Sequence, residues 1–162
     1  MKRRVQRKAF TMIELVFVIV VLGILAAIAV PRLAATRDDA EVAKIRSDVS
    51  SIRSAIVSER QIRLLKGQSN YVTRLDKNVA SNTADVALFD GNGTGTDNVV
   101  LLQYPIYTTK ESSDKPTSGH WIKKGVNQYV VNVAGTLVDF NYTASSGTFS
   151  CGTSPECISL LR

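Results

Sequence analysis

Catalytic residue types are scarce in this 162-residue chain, which has one histidine, His120, two cysteines and one tryptophan. One histidine with two cysteines falls short of a closed zinc site. No H-E-x-x-H, G-x-S-x-G or P-loop pattern occurs. Gly91, Gly93 and Gly95 form a glycine series, but without the strand-to-helix setting that phosphate binding requires. Ser112 and Lys115 match S-x-x-K, yet the companion motifs of that enzyme class are missing, and "KESSDKPTSG" reads as a solvated loop. The composition therefore points away from an enzyme. His120 and Trp121 read as a loop residue and an apolar anchor packed on a sheet.

Charge of one sign is also thinner than it first looks. The chain has 20 Lys and Arg against 14 Asp and Glu, a net +6, but Lys2, Arg3, Arg4, Arg7 and Lys8 all fall in residues 1–9. The remainder carries 15 against 14. Phosphate recognition needs clustered cations, and in the C-terminal part only Lys123 and Lys124 adjoin, so no nucleic-acid partner is expected.

What the chain does have is a long apolar run. Phe10 to Val30 is 21 residues with one charge, Glu14. As a helix this makes roughly 30 Å, the thickness of a bilayer's hydrocarbon core. A secretory signal peptide is the rival reading, since "LAAIA" resembles a cleavage site, but the helical pattern continues past Pro31. The cations before the run set its orientation, with the rest of the chain facing outward. Cys151 and Cys157 enclose "GTSPE", and an exported compartment lets such a pair oxidise, which favours a disulfide over metal binding. A carboxylate inside a span costs roughly 3 kcal/mol on insertion scales, so Glu14 needs a partner or a function. The helix dipole favours an acid at this end, and a chain cut between Ala9 and Phe10 would place a free amine within one turn of it. The alternative is that Glu14 only caps its own helix.

"KAFTMIELVFVIVVLGILAAIAVPRL" resembles the leader and N-terminal helix of type IV pilins and type II secretion pseudopilins. The resemblance covers about the first 35 residues. It implies that a prepilin peptidase cuts between Ala9 and Phe10 and methylates the new amine of Phe10. It makes Glu14 the residue that neutralises the amine of a neighbouring subunit during assembly, in an apolar helix bundle where such a pair is strong. Alanine stands at position 9, where the family usually has glycine. Pro31 matches the family's proline, and the stretch from Gly23 to Pro31 is expected to kink or unwind. Proline removes a backbone donor and crowds the carbonyl of Ala27, and glycine weakens a helix by about 1 kcal/mol.

Beyond Pro31 the helix changes character. Val42, Ile45, Val49, Ile52 and Ile56 form an apolar stripe at spacings of three and four, with charged residues between them. Gly67 follows Arg60, Arg63 and Lys66 as a C-terminal signal. The stripe is short for a coiled coil, so it should pack under a globular domain. Strands are expected at "NVVLLQYPIYT", "NQYVVNV" and "TLVDFNYTA", the last two joined through Ala134 and Gly135. "QSNYVTRLDKNVASNTADVALF" reads as irregular structure or a short helix. The expected fold class is α+β and pilin-like, with one long N-terminal helix, half membrane and half amphipathic, packed on a small antiparallel sheet. Its parts are a leader 1–9, a transmembrane and polymerisation half 10–31, an amphipathic half 32–66 and a periplasmic β-rich domain 67–162.

The loop "DGNGTGTDN" begins like a calcium loop, with Asp90, Asn92 and Asp97 as weak candidate ligands, but Leu101 occupies the position where an EF-hand needs glutamate. A solvated turn is the plainer reading, and no cofactor is expected. Through the resemblance, the partners are further copies of the chain, other pilins or pseudopilins, the prepilin peptidase, an inner-membrane assembly platform and membrane lipid. The function implied is a type II secretion pseudopilin held in the bacterial inner membrane, with its C-terminal domain in the periplasm. A type IV pilin for adhesion, motility or DNA uptake, and a membrane-anchored binding protein that never polymerises, are the alternatives.

Overall fold

The computed structural model describes residues 10–91, 99–111 and 115–161, apart from the side chains of residues 34 and 35. The leader, and with it Ala9, lies outside the described residues, as do Asn92, Gly93, Gly95, Asp97 and Ser112. The chain divides into two units, residues 1–37 and 38–162, and one helix, α1 (Met12–Leu65, 54 residues), contributes to both.

Helix α1 starts where its first donors find an acceptor. The Thr11 hydroxyl accepts a hydrogen bond from the backbone N–H of Glu14 at 3.3 Å, so Thr11 is the N-cap and Glu14 the third helical residue, the spacing of a capping box. Helical assignment runs without a break through Gly23 and Pro31. The end is equally well determined. Gly67, at φ 76°, donates to the Leu64 carbonyl at 3.0 Å, and Gln68 donates to the Arg63 carbonyl at 2.9 Å, the two bonds of a Schellman cap.

In the first unit the large apolar side chains of α1 pack on nothing among the described residues. Phe10, Phe17, Leu22 and Leu25 are among a continuous set of exposed large hydrophobics ending at Leu33. By length and composition this half of α1 is sufficient to cross a membrane.

The second unit is built the opposite way. Ile45, Val49, Ile52 and Ile56 are buried and Val42 packs against them, so the stripe read from the sequence is the helical wall of the core. Facing it is an antiparallel meander of four strands: β3 (Trp121–Gly125), β4 (Gln128–Val133), β5 (Thr136–Thr143) and β6 (Thr148–Cys151). Ahead of these, β1 (Ala87–Leu88) and β2 (Ile106–Tyr107) pair as a separate two-stranded sheet. Ala134 and Gly135 make the two-residue turn between β4 and β5, both with positive φ as a type I′ hairpin requires. Along β5 the pleat sorts the side chains: Val138, Phe140 and Tyr142 point inward and Asp139 and Asn141 outward. Phe89, Trp121, Tyr129, Phe140 and Phe149 form the aromatic centre, with Phe89 edge-on to Trp121 at 5.5 Å and Phe140 stacked on Phe149 at 5.1 Å.

The α+β arrangement matches expectation, but three local readings need correcting. The expected strand over "NVVLLQYPIYT" reduces to β2, because Leu101 and Leu102 pack on the core from an irregular segment and Pro105 offers no backbone donor. Trp121 lies within β3 rather than simply against a sheet. The chain's end carries β6 and a short helix, α2 (Pro155–Leu161), neither of which was expected. The segment after α1 is irregular until β1 and contains no helix among the described residues.

Candidate functional site

The sequence-identified residues separate into two places. The first is the start of α1. Phe10 is 83% exposed, and Glu14 stands beside Ile13, Val16, Phe17 and Val20 with no ion pair among the described residues. Thr11 satisfies the backbone of Glu14, and no hydrogen bond engages the Glu14 carboxylate among the described residues. A lone acid set in an apolar helix surface can do one thing well, which is to pair with a cation brought to it in a dry environment. At Gly23 an added Cβ would meet nothing within 4 Å among the described residues, so no contact described here requires the glycine.

The second place is the C-terminal corner. Cys151 and Cys157 are bonded to each other, with S–S 2.00 Å and Cα–Cα 5.8 Å, which ties β6 to α2. Two arginines of α1 reach this corner. Arg46 Nε donates to the Ser159 carbonyl at 2.9 Å, and Arg53 donates through Nε and Nη2 to the Phe149 carbonyl at 3.0 and 2.9 Å. Arg53 thereby satisfies a carbonyl on edge strand β6.

Among the described residues neither place gathers metal ligands. Asp90, the one calcium candidate among the described residues, accepts a hydrogen bond from the Lys77 N–H at 3.4 Å and faces the Lys77 ammonium at 3.6 Å. Among the described residues no three His, Cys, Asp or Glu side chains gather as a metal would need.

Charged residues with no sequence signal prove to be structural. Asp76 is fully buried; its carboxylate accepts from Lys123 Nζ at 2.7 Å, from the Tyr129 hydroxyl at 2.7 Å and from the Val79 N–H at 3.1 Å. Lys123 also donates to the Val79 carbonyl at 2.5 Å. Burial, then the Asp76 charge, pushes the Tyr129 hydroxyl well above the usual phenol range. Burial likewise pushes Tyr142, whose hydroxyl donates to the Val72 carbonyl at 2.7 Å, up to about 12. Arg63 and Glu59 continue the buried stripe of α1 as an ion pair at 3.0 Å. The irregular segment after α1 is thus pinned to the sheet by a hydrogen-bonded charge cluster.

A further polar cluster joins α1 to the turn before β3. Trp121 Nε1 donates to Asp48 at 3.0 Å, Lys44 donates to the Gly119 carbonyl at 2.6 Å, and the Ser118 hydroxyl bonds Glu41. Burial holds the Asp48 carboxyl above the usual range, against the opposing pull of the Trp121 bond and the Lys44 charge. His120 is held below its usual value, by burial first and then by Lys44.

Comparison with known proteins points to the first place. The prokaryotic N-terminal methylation motif matches residues 4–30. The chain is 41% identical over 54 residues to type II secretion system core protein G of Klebsiella michiganensis, covering 33% of this chain and 38% of that protein. It is 43% identical over 56 residues to the protein of that name in Pseudomonas aeruginosa, covering 35% and 39%. It is 50% identical over 48 residues to the type IV narrow pilus major component PilA5 of Thermus thermophilus, covering 30% and 41%. The chain thus spans about two fifths of the length of the curated relatives it matches. No solved structure matches.

Proposed function

Because its N-terminal segment is that of the pilin and pseudopilin family, we propose that this chain is a structural subunit of a pilus-like filament, and specifically a type II secretion pseudopilin. The observation that carries the reading is the match over residues 4–30, whose part from Met12 on lies in the exposed apolar half of α1, where the one acid, Glu14, has no partner among the described residues. In this reading a prepilin peptidase removes residues 1–9 and methylates the amine of Phe10. The subunit waits in the inner membrane on the apolar half of α1, with its second unit in the periplasm. An assembly platform then extracts it, and Glu14 pairs with the Phe10 amine of a neighbouring subunit. Desolvation makes that pair strong only once both helices share a water-free bundle. Gly23 to Pro31 is the stretch assigned to loosen on entry. The subunit performs no catalysis, needs no cofactor and binds no nucleic acid.

A type IV pilin is the second reading, favoured by the identity to the Thermus thermophilus pilus component and by the disulfide at the C-terminal corner. Both readings share the processing step. Intact mass and N-terminal sequencing of the protein from its host's membranes test it. The expected product begins at methylated Phe10, whereas a chain beginning at Met1 overturns the assignment.

A further inference from the structure

The buried charge cluster brings an amine and a carboxyl group together out of water. Asp76, Lys123 and Tyr129 are each no more than 2% exposed. Lys123 on β3 and Tyr129 on β4 are cross-strand partners, so their side chains leave the sheet on one face and both reach Asp76. Lys123 Nζ is 2.7 Å from Oδ1 of Asp76, and the Tyr129 hydroxyl donates to Oδ2, also at 2.7 Å. A nitrogen so placed lies no further than about 4 Å from the carboxyl carbon, and a small shift brings it to the roughly 3–3.5 Å of reacting atoms. Arg74 Nη2 faces Oδ1 from 3.8 Å, outside hydrogen-bond range. The Phe89 ring, 4.6 Å from that of Tyr129, adds an apolar wall. The pair formed by Lys124 and Asp139 differs: its side chains are 3.2 Å apart but exposed, and water solvates both charges.

We propose that Asp76 and Lys123 condense to an amide after folding, a covalent cross-link between the segment that follows α1 and strand β3. The proton shared between Nζ and Oδ1 passes to Oδ1, which turns the ion pair into an amine and a carboxylic acid without moving charge out of the cluster. The Nζ lone pair then adds to Cγ. The Tyr129 hydroxyl holds the negative charge that forms on Oδ2, and the Arg74 charge supports it. The Cγ–Oδ1 bond breaks, and Oδ1 leaves as water with a second Nζ proton while the third stays on nitrogen. No oxidant or activating group is consumed. Both polar groups of the product find partners already in place. The Val79 carbonyl, 2.5 Å from Nζ, accepts from the amide N–H, and the Tyr129 hydroxyl donates to the amide oxygen. Burial, which pushes the Tyr129 hydroxyl up, keeps it protonated as that donor. The amide also removes two charges whose burial is costly. Nothing in this step depends on the filament reading.

The test uses the full-length protein purified folded from its host, then denatured, reduced and digested with trypsin for mass spectrometry. The expected result is a branched peptide joining Asp76 to Lys123, lighter by one water than its two arms, with no cleavage after Lys123. Lys123→Met, which lacks the amine, should give only the unbranched Asp76 peptide. Tyr129→Phe keeps the ring and loses the donor, so it should slow the appearance of the branch in newly made protein by about a hundredfold, the scale of one oxyanion donor. An unchanged rate in Tyr129→Phe overturns the role given to Tyr129. Only unbranched peptides from the folded wild-type protein overturn the cross-link itself. Loss of water confined to the Asp76 peptide, as a cyclic imide closed on the Lys77 nitrogen, overturns it too. The wild-type measurement needs no variant, so it decides the matter even where Tyr129→Phe fails to fold.

Discussion

The two halves of α1 have the same backbone and opposite economies. From Met12 to Leu33 the described large apolar side chains are exposed, and nothing among the described residues covers them. From Ile45 to Ile56 a narrower stripe is fully buried against the sheet, and the rest of the helix surface is polar. The first half lacks a partner and must be given one, by lipid or by other helices. The second half has its partner in the same chain. What separates them is the distribution of apolar residues around the axis: all round in one case, a single stripe in the other.

The comparison is sharpest where a buried group has no substitute for its partner. Lys123→Met leaves the Asp76 carboxylate without its principal cation in the core. We expect a loss of about 3–5 kcal/mol in urea unfolding of the second unit, with part of it recovered by adding Asp76→Leu. A loss below about 1 kcal/mol would show that the cluster is not what pins the irregular segment.

A smaller effect is expected at Gly147, in the turn between β5 and β6. Its φ is 69°, and an added Cβ would fall 2.2 Å from the ring of Tyr71, which itself carries Arg60 stacked at 4.6 Å. Gly147→Ala should therefore cost about 1–3 kcal/mol from backbone strain and overpacking. The measurement is the shift in unfolding midpoint. An unchanged midpoint would mean that this turn relaxes freely.

The smallest effect concerns pH. Burial raises the Asp48 carboxyl in the folded state, so the unfolded chain ionises at a lower pH than the folded one. The ionised group therefore costs stability above its folded value. That cost is relieved as pH falls through the folded value toward the unfolded one. Asp48→Asn keeps an acceptor for the Trp121 N–H, so it should raise the melting temperature at neutral pH, with the gain shrinking in mild acid. A gain that does not vary with pH would remove Asp48 ionisation as its cause.

The same contrast explains what could be read from the sequence. Helix α1 was legible throughout, because an uncharged run and a stripe at spacings of three and four are both long-range signals. The β4–β5 hairpin was legible through the alternation in "TLVDFNYTA" and the Ala134–Gly135 turn. Strand β3 was not, because Trp121, Ile122 and Lys123 are all buried and the period of two is lost. Lys123 is inside only because Asp76 is there to meet it, a pairing 47 residues apart that no local pattern announces. β6 and α2, at 4 and 7 residues, are too short for periodicity to reveal. Of the candidate site, Glu14 stood out as a carboxylate in an apolar run and Pro31 as a proline inside a helix, but the roles given to Phe10, Glu14, Gly23 and Pro31 depend on neighbours a single chain does not supply.

The central claim is that residues 38–162 form a self-sufficient unit and that the apolar half of α1 adds nothing to its stability. The direct measurement is thermal unfolding of a 38–162 fragment beside the full-length protein in mild detergent. Asp38 and Asp39 would sit in the first turn of the shortened helix, where acids are favourable. The account predicts a cooperative transition for the fragment, with stability within about 0.5 kcal/mol of the same transition in the full chain. A fragment that fails to fold, or that has lost several kcal/mol, would contradict it.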